Sequence, residues 1–252
     1  MRALLPEPDR DITSDVDLHE FYANGWVDGG GLRINFVSSV DGAATAEGVS
    51  GGLQTPGDNK VFGVLRDLAD VIVVGAGTAR TEAYKPSKPG AARRAIRRSH
   101  GFAEYPPIAV VSRSLRLDPT AALFTSTDPA ARTIVITCEA GDPAVRTALE
   151  PIADVLVLGE HDVDLAAARA ALIERGLTRI LSEGGPTLFG DLARAGQVDE
   201  LCLSLSPLLS GPGARRIIAG QMWPGSTARL TLTGLLEEDD ALFCRYRVAP
   251  PN

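Results

Sequence analysis

The stretch Arg66-Asp67-Leu68-Ala69-Asp70-Val71-Ile72-Val73-Val74-Gly75-Ala76-Gly77-Thr78 decides the fold. Its centre, Val71–Val74, is apolar on successive residues, the pattern of a strand covered on both faces rather than one. The residues before it, Gly57–Leu68, carry apolar side chains at helical spacing, and Gly75 opens a turn. A helix, a doubly buried strand and a glycine turn in that order describe a parallel sheet packed between helices.

The same alternation continues on both sides. Strands are expected at Leu32–Val37, Val71–Gly75, Ile108–Val111, Thr133–Thr137, Asp154–Leu158, Arg179–Leu181, Leu201–Ser206 and Leu242–Val248. Helices are expected at Gly57–Leu68, Ala91–Ser99, Pro143–Glu150, Leu165–Arg175 and Thr187–Ala195. Right-handed crossovers then give an α/β fold in three layers, α/β/α, around a mostly parallel mixed sheet. The last two strands, joined through turn-rich sequence, close it with an antiparallel C-terminal edge. Residues 1–30 read as an arm packed on the surface, with a short helix near Asp17–Tyr22. With no repeat and no linker, residues 1–252 read as a single domain whose core is 31–248.

Bulk properties narrow the function. The chain has 252 residues and a net charge of -7, which disfavours a nucleic-acid partner. Its densest basic run, Arg93, Arg94, Arg97 and Arg98, falls on one side of a helix and reads as a solvated face. Cys138, Cys202 and Cys244 each sit in an apolar run, odd in number and far apart, so they read as core thiols with neither disulfide nor metal. The opening MRALLPEPDRD is too polar for a signal peptide, and no run is long enough to span a bilayer. A soluble, cytoplasmic protein with no membrane partner is expected.

Ligands of such sheets gather where strands end, so the residues after each strand are the candidates. Gly75, Gly77 and Thr78 follow one strand; glycines admit a ligand close to the backbone, and amides with a hydroxyl suit phosphate. An ordinary strand-to-helix turn fits them equally, and Arg80 stands where a GxGxxG pattern needs its third glycine. Ser112 and Arg113 follow the next strand; an arginine there can grip a 2′-phosphate bidentately or can be a plain surface residue. Glu183, Gly184, Gly185, Pro186, Thr187 and Leu188 join a carboxylate to a helix start whose amides face outward. Asp41-Gly42, after the first strand, reads as a turn or as a carboxylate in a cleft.

In order, NFVSSVDGAAT, RDLADVIVVGAGTAR, IAVVSR and ILSEGGPTLFGDL resemble the reductase domain of the riboflavin-pathway deaminase/reductase, the RibD C-terminal family, over roughly residues 31 to 248. The resemblance implies a dihydrofolate-reductase-like fold, a homodimer and NADPH as cofactor. It implies that Gly75, Gly77 and Thr78 line the cofactor and that Ser112 and Arg113 meet its adenosine phosphate end. Gly184 through Leu188 would wrap the pyrophosphate, with Gly184-Gly185 as a cis peptide. Ser50, Arg66 and Glu183 would contact the substrate. Asp41 matches the aspartate near the nicotinamide.

The chain departs from the family on the substrate side. Where the family has Asp-Asp-Pro-x-Leu and then an arginine, this chain reads Thr81-Glu82-Ala83-Tyr84-Lys85-Pro86, with Glu82 in place of the first acid. Where the family has a tryptophan, it reads Ser50-Gly51-Gly52-Leu53. The deaminase signatures H-x-E and P-C-x-x-C are absent. Asp41 or Glu82 would bind or relay the proton of a hydride transfer, with Glu183 orienting a heterocyclic small-molecule substrate. His19, His100 and His161 read as surface residues. Three readings stand: a reductase of a phosphoribosylamino-pyrimidine, a reductase of another heterocycle such as dihydrofolate, and an NADP-binding protein without turnover. The apolar run Leu201–Leu209 reads as an edge strand or an interface.

Overall fold

The computed structural model describes residues 1–8, 10–26, 29–46, 48–221 and 228–249. Its elements, in chain order, are β1 (Arg2–Leu5), α1 (Asp15–Ala23), β2 (Gly31–Ser39), α2 (Pro56–Leu68), β3 (Val71–Gly75), α3 (Ala76–Thr81), α4 (Ala91–Ser99), β4 (Ile108–Val111), α5 (Ala122–Thr125), β5 (Ile134–Thr137), α6 (Pro143–Leu149), β6 (Asp154–Val157), α7 (Leu165–Glu174), β7 (Arg179–Ser182), α8 (Pro186–Arg194), β8 (Glu200–Ser206), β9 (Leu230–Glu238) and β10 (Ala241–Val248). They form two compact units, Met1–Leu68 with Leu181–Asn252, and Ala69–Ile180.

In the first unit the strands run in the order β1, β9, β10, β8, β2, β7. β2 and β8 are parallel, whereas β8, β10, β9 and β1 pair antiparallel. The antiparallel C-terminal edge is therefore as the sequence suggests, but it has two strands that the sequence reading lacks, β1 and β9. β8 is paired on both sides, by β2 and β10, so Leu201–Ser206 is an interior strand and not an edge. Helices cover both faces. Arg33 and Phe36, an odd number of positions apart on β2, point to opposite faces. Arg33 donates to the carbonyl of Tyr22 in α1, and Phe36 stacks on Phe189 of α8 at 5.4 Å.

The described residues of the first thirty contribute side chains to the core. Leu18, Tyr22 and Trp26 are buried. α1 starts on a reciprocal cap in which the Ser14 hydroxyl accepts from the Asp17 amide (3.2 Å) and the Asp17 carboxylate accepts from the Ser14 amide (3.0 Å). Buried ions then bind the helix to the sheet. Glu200 lies 2.7 Å from Arg33 Nε and 3.1 Å from Arg245 Nη2, and Arg245 donates to the carbonyls of Phe21 and Asn24. Desolvation raises the Glu200 pKa and the two guanidiniums lower it; the net shift is downward. Beside it, burial pushes the Cys202 thiol up to about 12, so this buried cysteine stays a neutral thiol. His19 is also buried, with Nε2 3.1 Å from Asp67 of α2, which corrects its reading as a solvated residue.

In the second unit β3, β4, β5 and β6 pair in parallel, in that order. Val71, Ile72, Val73 and Val74 are all buried, as a doubly covered strand requires. The basic face of α4 is only partly solvated. Arg97 is fully buried; Nε donates to the Ala103 carbonyl (2.7 Å) and Nη1 to the Ala69 carbonyl (2.7 Å), and its guanidinium lies over Phe102. A helix at this spacing reads as solvated because the three-dimensional acceptors, two loop carbonyls, leave no trace in the local pattern.

Candidate active site

The expected site residues fall into two sets, one in each unit. In the second unit, Gly75 closes β3 in extended conformation and caps α3 without a side-chain hydrogen bond. A Cβ at Gly77 would meet nothing within 4 Å, so the backbone here is open to a ligand. Thr78 is half-buried, and its carbonyl accepts from the amide of Glu82 (2.9 Å), the residue that ends α3. Ser112, buried at the end of β4, is fixed by its amide to the Ile136 carbonyl (2.9 Å). Arg113 is exposed and paired with the exposed Asp162 at 3.1 Å. Such a surface pair holds weakly, roughly 0–1 kcal/mol, and can be exchanged for a phosphate.

In the first unit, β7 delivers Glu183 to a turn that enters α8. The Glu183 carboxylate is buried and takes both arms of the Arg66 guanidinium, Nε at 2.6 Å and Nη2 at 2.7 Å. Arg66 stands in the last turn of α2, and its guanidinium lies 4.4 Å from the centre of the Phe62 ring. Two residues implied separately as substrate contacts are thus one planar, bidentate unit, stiffened from one side by an aromatic face.

Next to it the chain turns at Gly184, with φ +80. A Cβ at this position would collide with the ring of Phe36, so both backbone angle and packing demand glycine. Among the described residues the cis peptide is Leu5–Pro6; the expected cis bond between Gly184 and Gly185 is not formed. Gly185 caps α8 without a side-chain bond and Pro186 occupies its first turn, leaving Thr187 exposed and Leu188 buried. An α-helix start with no capping side chain is a place where amides can meet an anion.

Asp41 sits in the turn after β2, where the Gly42 amide donates to the Ser39 carbonyl (3.0 Å). Its exposed carboxylate accepts from the Ser39 hydroxyl and from the amides of Ser210 (3.1 Å) and Gly211 (2.8 Å). These donors hold its pKa below the ordinary carboxylate value, the serine hydroxyl most of all. Turn and ligand readings are therefore both open to it, but as an anion. Ser50, half-buried, starts the 3-10 turn Gly51–Leu53, with its carbonyl accepting from Leu53 (3.0 Å).

The sequence reading missed Phe36 and Phe62, which fix the turn and the guanidinium. A local signal existed for Phe62, four residues before Arg66 and so on the same face of α2, whereas Phe36 meets Gly184 only through the fold. It also missed Ser210 and Gly211, whose amides hold Asp41.

Comparison with known proteins identifies the family. Residues 31–241 match the RibD C-terminal domain. The chain is 28% identical over 179 residues to the 2,5-diamino-6-ribosylamino-4(3H)-pyrimidinone 5′-phosphate reductase of Archaeoglobus fulgidus, covering 71% of this chain and 80% of that one. A pyrimidine reductase-like protein from Corynebacterium diphtheriae superposes with a TM-score of 0.84 at 28% identity, over 93% of this chain and 99% of that one. RibD of Acinetobacter baumannii shares the fold, with a TM-score of 0.67 at 18% identity, over 87% of this chain and 58% of that one. With the match covering most of its length, the chain belongs to the RibD C-terminal domain family.

Proposed function

We propose that this protein is an NADPH-dependent reductase of a phosphoribosylamino-pyrimidine, the type of substrate named for its Archaeoglobus fulgidus relative. The observation that carries the reading is the buried Glu183–Arg66 pair set immediately before the start of α8. A carboxylate and a guanidinium in one plane offer an acceptor edge and a donor edge, which suits an aminopyrimidine better than an aliphatic substrate.

Bound NADPH would supply a hydride. The protein's share is binding, orientation and the proton. Gly75, Gly77 and Thr78, with Ser112 and Arg113, are assigned to the cofactor, as are Gly184, Gly185, Pro186, Thr187 and Leu188. The fit rests on the open space at Gly77, the exchangeable Arg113–Asp162 pair and the helix start without a capping side chain. Arg66 holds the Glu183 carboxylate in one rotamer through two hydrogen bonds, so its remaining lone pairs accept N–H groups of the heterocycle in a fixed direction. Ser50 is assigned to the substrate.

Hydride transfer leaves a heteroatom that takes up a proton. Asp41, held as an anion by three donors, accepts hydrogen bonds at neutral pH and has no proton to give. We assign it to holding the turn and residues 210–211 in place; the proton then comes from solvent, relayed by Asp41 or Glu82. A soluble cytoplasmic homodimer is part of the proposal; the exposed Leu208 and Leu209 suit a subunit contact.

The test is NADPH oxidation followed at the cofactor absorbance band, with the phosphorylated pyrimidine and dihydrofolate offered separately. Turnover of the pyrimidine sustains the proposal. Turnover of dihydrofolate alone transfers the chemistry to a pterin, and NADPH binding without turnover of either leaves a nucleotide-binding protein.

A further inference from the structure

β8 ends at Ser206, and residues 207–221 then run along the first unit, tied down at four places. The Val40 amide donates to the Leu208 carbonyl (3.0 Å), and the amides of Ser210 and Gly211 donate to Asp41. The Ala44 amide donates to the Arg215 carbonyl (2.7 Å), and the Ala219 amide to the Pro186 carbonyl (3.0 Å). The last contact is close: a Cβ at Gly190 of α8 would strike the Ala219 carbonyl. The run from Arg215 to Ala219 therefore bridges the segment after Asp41 and the first turn of α8. Arg216 is three residues from Ala219, so its Cα lies within about 11 Å of that of Ala219 even in a fully extended chain.

Arg215 and Arg216 are exposed on this tethered run. Most other cations of the first unit are taken: Arg2 by Glu237, Arg10 by Glu7 and Glu20, Lys60 by Glu238, Arg66 by Glu183, Arg194 by Asp191, and Arg33 and Arg245 by Glu200. Among the described residues, Arg215 and Arg216 meet no carboxylate. In a chain of net charge -7, two adjacent uncompensated guanidiniums on an anchored backbone are a local exception.

We propose that Arg215 and Arg216 are the recognition site for the phosphate monoester of the substrate, an inference that rests on the functional reading above. A phosphate monoester carries roughly -1.5 to -2 charges at neutral pH and three acceptor oxygens. Guanidiniums grip such a group through paired, charge-assisted hydrogen bonds. The four tethers fix the backbone, so little order has to be gained on binding. Phosphate here would anchor the ribose end of a substrate whose ring is oriented by Glu183.

The experiment compares the wild-type protein with Arg215→Gln, Arg216→Gln and the double variant, using pyrimidine substrate with and without its 5′-phosphate. Selectivity, the ratio of the two kcat/KM values, is expected to fall about ten- to hundredfold in the double variant. KM for NADPH is expected to hold. An unchanged selectivity overturns the inference while leaving the functional reading intact. A raised KM for NADPH with unchanged selectivity also overturns it, placing the arginines on the cofactor. If the wild-type protein reduces no phosphorylated pyrimidine, the functional reading itself falls, and this proposal with it.

Discussion

Arg66 and Glu183, 117 positions apart in the chain, meet in a two-point ion pair with N–O distances of 2.6 and 2.7 Å. The carboxylate is the more deeply buried partner, 2% exposed against 23% for the arginine side chain. Removing Arg66 therefore strands a buried charge, whereas removing Glu183 leaves a guanidinium that still reaches solvent. Arg66→Ala is expected to be the more destabilising change, by about 3 kcal/mol, and Glu183→Gln the milder one. Both should depress kcat/KM about a hundredfold or more if the pair orients the substrate. Urea midpoints and steady-state kinetics on the two variants check this; equal stability losses with full activity would make the pair purely structural.

Gly184 is the least replaceable residue of the turn. An alanine there must adopt φ near +80 and displace the Phe36 ring. Together these are expected to cost about 2–5 kcal/mol. Because one component is steric, Gly184→Ala combined with Phe36→Leu should recover part of the loss. Chemical denaturation of both single variants and the pair measures the coupling; strict additivity would mean that the backbone angle alone sets the cost.

How far the sequence was legible depends on which interactions are local. The parallel strands and most helices were readable because doubly buried strands and amphipathic helices repeat within a few residues, and β4 and α4 fall at the bounds expected for them. β1 was not readable: it is four residues long and owes its existence to pairing with β9 at the other end of the chain. β9 fails for another reason. It begins Leu230-Thr231-Leu232-Thr233, with the first three exposed, so its alternation does not mark a core face. Among site residues, Glu183 and the glycines were visible through their position just past the end of a strand. That Arg66 would be Glu183's partner was not, since nothing in either neighbourhood encodes the tertiary approach of α2 to β7.

Glu200 holds two arginines, and its loss is expected to be felt well beyond its own contacts. Arg33 is fully buried and Arg245 nearly so, and both also pin α1 through carbonyls of that helix and its end. Glu200→Gln leaves both guanidiniums without a countercharge, at about 3–5 kcal/mol. Hydrogen exchange should quicken first across α1, because its anchoring depends on those arginines. Uniform quickening of the whole first unit would show instead that α1 does not open separately.

His19 gives the fold a pH dependence opposite in sign to that of the carboxylates. Its Nδ1 lies 2.6 Å from the Asp15 carbonyl and its Nε2 3.1 Å from the Asp67 carboxylate. The carbonyl accepts, and so does a carboxylate, so an imidazolium with a proton on each ring nitrogen satisfies both partners. Burial lowers its pKa, the hydrogen bonds and charges of Asp67 and Asp15 raise it, and the net shift is upward from 6.5. A group whose folded pKa is raised stabilises fully below its unfolded value and loses that contribution as pH rises through the folded one. Stability should therefore decline as pH rises above about 6.5, and His19→Gln should flatten that limb. Urea midpoints of both proteins from pH 6 upward decide it: parallel curves would mean that His19 titrates alike in the folded and unfolded chains.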